Sequence, residues 1–165
     1  MQHFKKIALV FILFLTSCHF ETPTEFSEKA LNDTALSLDG TSIRIKKIIQ
    51  QYKGKKILID VWASWCADCI KGLPKIKDLQ KEFPKVVFLF LSVDKNNATW
   101  KKAIQRFQIK GKHYNLPNGM KDGDFVDFIR LNWIPRYLVI NENGFVDLFK
   151  ATKATDKNIV LALKK

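Results

Sequence analysis

Two cysteines three residues apart, Cys66 and Cys69 in the run Trp65-Cys66-Ala67-Asp68-Cys69, are the residues of this chain best suited to chemistry. Their spacing lets the two sulfurs close a small disulfide ring. A helix beginning there sets the more N-terminal sulfur near unpaired backbone N–H groups that favour its thiolate, and the thiolate is the species that attacks a disulfide. A zinc site ordinarily asks for two more Cys or His ligands. One further cysteine, Cys18, and the scattered His3, His19 and His113 do not supply them. A thiolate pair can also hold a soft metal such as Cu(I), so exchange and metal binding both stay open on the residues alone.

The elements around the pair place it at the end of a strand and the start of a helix. Residues 57–62 and 86–93 are near-continuous apolar runs rich in β-branched and aromatic side chains, as expected of central parallel strands covered on both faces. Between them Ile70, Leu73, Ile76, Leu79 and Phe83 recur at spacings of three or four with lysines interleaved, which predicts an amphipathic helix and a βαβ unit. Residues 35–38 and 42–45, around the turn Asp39-Gly40, predict a short leading hairpin. Trp100, Ile104 and Phe107 mark a second helix, and Phe125, Phe128 and Ile129 a third. Residues 137–140 and 145–149 predict an antiparallel hairpin, and Ile159, Val160 and Leu163 a last helix. At 165 residues and 47% apolar, the chain closes one core. Its formal charge of +12 is spread over lysines in nearly every segment. Nucleic-acid binding would want a clustered patch and a reading motif, and neither is present.

The N-terminus reads as an address. Lys5 and Lys6 precede an apolar run over residues 7–15, too short to span a bilayer, in a signal-peptide layout. Leu15-Thr16-Ser17-Cys18 resembles the lipobox of bacterial lipoproteins, which implies cleavage before Cys18 and lipid on its sulfur. Residues 1–17 are then a lipoprotein signal peptide, 18–33 the acylated Cys18 with a flexible tether, and 34–165 the folded domain. Stretched out, the polar stretch over residues 20–32 reaches roughly 40 Å.

The stretch Ile59-Asp60-Val61-Trp62-Ala63-Ser64-Trp65-Cys66-Ala67-Asp68-Cys69 resembles the active-site region of the thioredoxin superfamily. With the lipobox, the longer segment before the closing hairpin and Trp133-Ile134-Pro135-Arg136-Tyr137, the likeness narrows to its extracytoplasmic TlpA/ResA-like branch and covers residues 35–163. It implies a thioredoxin-like α/β fold, a central mixed sheet flanked by helices, and a thiol-disulfide oxidoreductase that needs no cofactor. By the same resemblance Cys66 is the nucleophile, Cys69 the resolving thiol, and Asp60 the buried proton acceptor, its pKa raised by burial. Pro135 matches a cis-proline facing the disulfide. Ile134 offers backbone hydrogen bonds to an extended substrate, Trp65 contacts substrate or covers the sulfurs, and Pro74 matches a kink in the active-site helix. The resemblance further implies disulfide-containing client proteins, apocytochromes among them, an upstream thiol reductant, and a membrane anchor at Cys18 on the periplasmic side.

Two positions depart from the family pattern. Asp68 stands where many relatives carry proline; a carboxylate between the cysteines opposes thiolate formation and favours a reducing pair. Gly72 stands where ResA-like proteins often place a functional Glu. Arg136 reads either as a guide for acidic partners or as a plain solvent-facing side chain. The competing reading, a Cu(I)-binding metallochaperone of the same fold, lacks the additional His and longer cysteine spacing usual in such proteins. A peroxide-reducing relative would carry a proline-threonine-cysteine motif, which this chain does not.

Overall fold

The structure is a computed structural model that describes residues 22–165, so Cys18 and the leader lie outside the described residues. Two strands carry the site. β3 (Ile57–Trp62) is buried at every position, and β4 (Val87–Ser92) pairs with it in parallel, Ile57 opposite Val87 through to Trp62 opposite Ser92. The connecting helix α3 (Ala67–Glu82) buries Cys69, Leu73, Ile76 and Leu79, a spacing of three or four that turns one face to the sheet. It runs through Pro74 without ending.

The remaining strands widen this unit into a seven-stranded mixed sheet. β6 (Arg136–Ile140) lies antiparallel to β3 on its other side, and β7 (Val146–Ala151) closes that edge. On the far side β5 (Lys112–Asn115) pairs in parallel with β4. Beyond it the leading hairpin, β1 (Thr34–Leu36) and β2 (Ser42–Arg44), completes the order β2-β1-β5-β4-β3-β6-β7. Helices α4 (Asn97–Phe107), α5 (Asp124–Phe128) and α6 (Lys157–Lys164) fall where their apolar periods predict.

Three elements depart from the sequence expectation. β5 was no part of it: Lys-His-Tyr-Asn carries no apolar run, yet His113, Tyr114 and Asn115 are buried, with His113 stacked on Phe90 at 5.1 Å. Helix α2 (Ile45–Gln50) follows β2 without an intervening turn and buries Ile45 and Ile48, so the alternation expected over 42–45 ends one residue early. The third departure corrects the tether. Residues 24–33 are docked on the domain: the Val146 N–H donates to the Thr24 carbonyl at 2.7 Å, and Phe26 stacks on Phe125 at 5.9 Å and meets Phe128 at 5.2 Å. Ser27 then caps helix α1 (Glu28–Asn32), which buries Ala30, and Asp33 Oδ2 accepts from the Phe125 N–H. A single aromatic in a polar stretch has no period to read, but burying it is worth a kilocalorie or two on the order of the usual area rule.

Candidate active site

The turn from β3 into α3 sets the cysteines. Cys66 is the N-cap of α3 in an extended conformation (φ −83°, ψ 102°), its N–H bonded to the Ala63 carbonyl at 3.1 Å. Cys69, in the first turn, is joined to it by a disulfide with the Cα atoms 5.3 Å apart. The Cys69 N–H donates to Cys66 Sγ at 3.1 Å. The helix N-terminus therefore turns a backbone donor, in the direction of its dipole, onto Cys66 Sγ, a placement that favours negative charge on that sulfur. Both cysteines are nearly covered, Cys66 at 6% and Cys69 at 3% exposure.

A buried carboxylate holds the turn. Asp94, just beyond β4, accepts from the Ser64 N–H at 2.9 Å, the Ser64 hydroxyl at 2.6 Å and the Ser92 hydroxyl at 2.7 Å. The Asn115 amide donates to the Asp94 carbonyl at 2.8 Å, so β5 braces the same corner. Neither Asp94 nor Asn115 stood out in the sequence, because their partners lie 20 to 30 residues away.

The loop before β6 faces the disulfide. The Ile134–Pro135 peptide is cis, both residues are buried, and the Ile134 carbonyl oxygen lies 3.8 Å from Cys66 Sγ. Arg136 corrects both expectations made of it: it is fully buried and faces neither solvent nor a partner. Its guanidinium donates to the Ile129 carbonyl at 2.5 Å, the Arg130 carbonyl at 3.4 Å and Asn132 Oδ1 at 3.1 Å. One cation thus ties the end of α5 to the strand that follows Pro135, a use suited to a planar fork of donors.

Beside Cys66 a groove of about 410 Å³ is lined by Trp65, Cys66, Asp68, Met120, Trp133 and Ile134 among others. Trp65 and Trp133 are 63% and 58% exposed, while Trp62 is buried. Exposed tryptophans are rare enough to mark a contact surface. In the sequence Trp133 figures only as part of the family match, since its exposure beside the disulfide is set by the fold. Asp68 is exposed, with Lys71 Nζ 3.8 Å away, a surface pair of little energy.

Beneath the helix, Asp60 is 4% exposed, and burial alone pushes its pKa up to about 8. Its neighbours across the strands are Phe90 on β4 and Tyr137 on β6. Among the described residues, no group of three His, Cys, Asp or Glu is placed to hold a metal ion.

Comparison with known proteins agrees with this arrangement. A ResA thiol-disulfide oxidoreductase of Bacillus thuringiensis subsp. konkukian is 23% identical over 129 residues, covering 76% of this chain and 69% of that protein. A protein of Bacteroides vulgatus assigned as a thiol-disulfide oxidoreductase superposes with a TM-score of 0.66 at 28% identity, covering 81% of this chain and 85% of that one. A thiol-disulfide oxidoreductase from Bacteroides fragilis superposes with a TM-score of 0.65 at 18% identity, covering 79% and 93%, a likeness of fold. A family model described as Thioredoxin-like matches residues 54–146, over β3, α3, β4 and the cis-proline loop. The chain belongs to the thioredoxin-like family and is a thiol-disulfide oxidoreductase of thioredoxin type.

Proposed function

We propose that the chain is a membrane-anchored, extracytoplasmic reductase of client protein disulfides, with Cys66 as nucleophile and Cys69 as resolving thiol. The observation that carries the reading is the disulfide at the start of α3, set against the Ile134 carbonyl, with Asp60 buried on the strand that leads into it. In the reduced protein the Cys66 thiolate attacks one sulfur of a client disulfide and expels the other as a thiolate, forming a mixed disulfide. The Cys69 thiol passes its proton to the Asp60 carboxylate and attacks Cys66 Sγ. The second client sulfur leaves as a thiolate, and the Cys66–Cys69 bridge holds the oxidising equivalents. An upstream thiol reductant returns two electrons, and two protons restore the dithiol. The extended client segment pairs with the Ile134 backbone beside Pro135 and rests on Trp65, with Trp133 on the far rim. Asp68, exposed between the cysteines, disfavours the thiolate state and tilts the pair toward reduction.

Lipid on Cys18 would hold the domain close to the bilayer. Thr24 is bonded to the domain, and the five residues between it and Cys18 can span at most roughly 20 Å.

Replacing Cys69 with Ser in the cell envelope tests the reading. The expected result is client proteins joined covalently to Cys66 and released by reductant. An envelope with no trapped clients, together with a reduction potential as oxidising as that of DsbA, overturns it.

A further inference from the structure

A second buried polar group lies beside Asp60, on the opposite strand, and the exchange as described leaves it unused. Tyr137 is fully buried, directly opposite Asp60 in the β3–β6 register, and therefore on the same face of the sheet. Its hydroxyl reaches up to α3. A Cβ on Gly72 would stand 3.2 Å from the phenol oxygen and 3.3 Å from the Ala154 Cβ, a spacing tighter than side chains ordinarily tolerate. Glycine at this position is what admits the hydroxyl to the turn of helix that begins with Cys69. Neither the Tyr137 hydroxyl nor Asp60 Oδ1 has a hydrogen-bond partner within the protein, although both are buried. Buried polar atoms are almost always paired, through an internal water where no protein group reaches.

In the sheet Asp60 lies between Phe90 of β4 and Tyr137 of β6, and Gly72 of α3 stands over the Tyr137 hydroxyl. Of these strand neighbours the titratable one is Tyr137. Burial raises the Asp60 pKa, and burial first, with the Asp60 charge second, holds the Tyr137 phenol above its usual range.

We propose that Tyr137 is a positioning residue for the resolving step: its hydroxyl, admitted by Gly72, donates to the Asp60 carboxylate through an internal water and sets the pH at which Asp60 accepts the Cys69 proton. The proposal rests on Asp60 as that acceptor. The phenol keeps its own proton throughout. Only the Cys69 proton moves, to the Asp60 carboxylate, as the Cys69 sulfur forms its bond to Cys66 Sγ and the client thiolate leaves.

Removing the donor leaves the carboxylate anion less well solvated, so its pKa rises. The test uses the reduced domain and dithiobis(nitrobenzoate), which releases one nitrothiolate as Cys66 attacks and a second as Cys69 resolves. Tyr137→Phe keeps the ring and its volume. The acidic limb of the second phase is expected to move up by about 0.5 to 1 pH unit, slowing that phase about three- to tenfold near neutral pH. Gly72→Ala, whose methyl presses on the hydroxyl, is expected to move the limb the same way. If Asp60→Asn abolishes the limb while both other variants leave it in place, the proposal for Tyr137 is overturned and Asp60 keeps its role. If Asp60→Asn leaves the limb intact, Asp60 is not the acceptor and both ideas fall.

Discussion

Replacing Asp60 with Asn removes a group whose pKa native burial raises to about 8, and the size of the effect follows from linkage. The native pKa is about 8 against an unfolded value of 3.8. A raised native pKa means the folded state binds the proton more tightly, so its stabilising contribution is complete below the unfolded pKa. It is lost as pH rises through the window from 3.8 to about 8. Each pH unit inside that window costs about 1.4 kcal/mol, and between about pH 5 and about pH 8 the loss is on the order of 3 kcal/mol. Asparagine is neutral in both states and shows no such loss. The assay is guanidinium unfolding of the oxidised protein, in which the disulfide sulfurs do not titrate, for both proteins at the two pH values. His113 acts in the opposite sense, because burial lowers its pKa, but it is common to both proteins and cancels in the difference. The expected result is an Asn variant whose advantage grows by on the order of 3 kcal/mol toward alkaline pH. An advantage that is flat across the window, to within about 0.5 kcal/mol, refutes the raised pKa of the buried Asp60.

Three further substitutions probe the scaffold of the site. Asp94→Ala strips three donors of their acceptor and frees the Ser64 turn; a loss of about 3 kcal/mol in chemical denaturation is expected, with exchange slowed roughly tenfold through misplacement of Cys66. Arg136→Leu leaves the Ile129 and Arg130 carbonyls without their donor and is expected to cost about 2 to 4 kcal/mol. Arg136→Lys, lacking the planar fork, should recover only part of that stability in the same titration. Trp133→Ala, at an exposed position, should leave stability within about 0.5 kcal/mol. It should raise KM for a protein disulfide about fivefold, with a smaller effect on a low-molecular-weight disulfide.

Legibility in the sequence followed the physics of each element. β3 and β4 were readable because a strand covered on both faces is apolar at every position, and α3 because a helix covered on one face repeats at three and four. Asp60 stood out as the lone acid in such a run. β5 was not readable: its buried side chains are polar, and Asn115 finds its partners only at the end of a distant strand, donating to the Ser92 and Asp94 carbonyls at 3.3 and 2.8 Å. Arg136 and Asp94 were hidden for the same reason, since a charged residue reads as solvent-facing until the carbonyls and hydroxyls that surround it are assembled. Phe26 was one aromatic among polar neighbours, and only the facing Phe125 and Phe128 show that it packs against the core. Gly72 was visible as a departure from relatives, but the phenol that fills its place belongs to a strand 65 residues later, where Tyr137 read simply as a hairpin residue.

Reduction of insulin disulfides by the purified domain, with a thiol reductant supplied and each cysteine replaced in turn by serine, tests the central claim most directly. The account predicts that the parent protein turns over, that Cys66→Ser is inert, and that Cys69→Ser stops after one equivalent with insulin bound to Cys66. Sustained turnover by either serine variant, or an insulin adduct on Cys69, would contradict it.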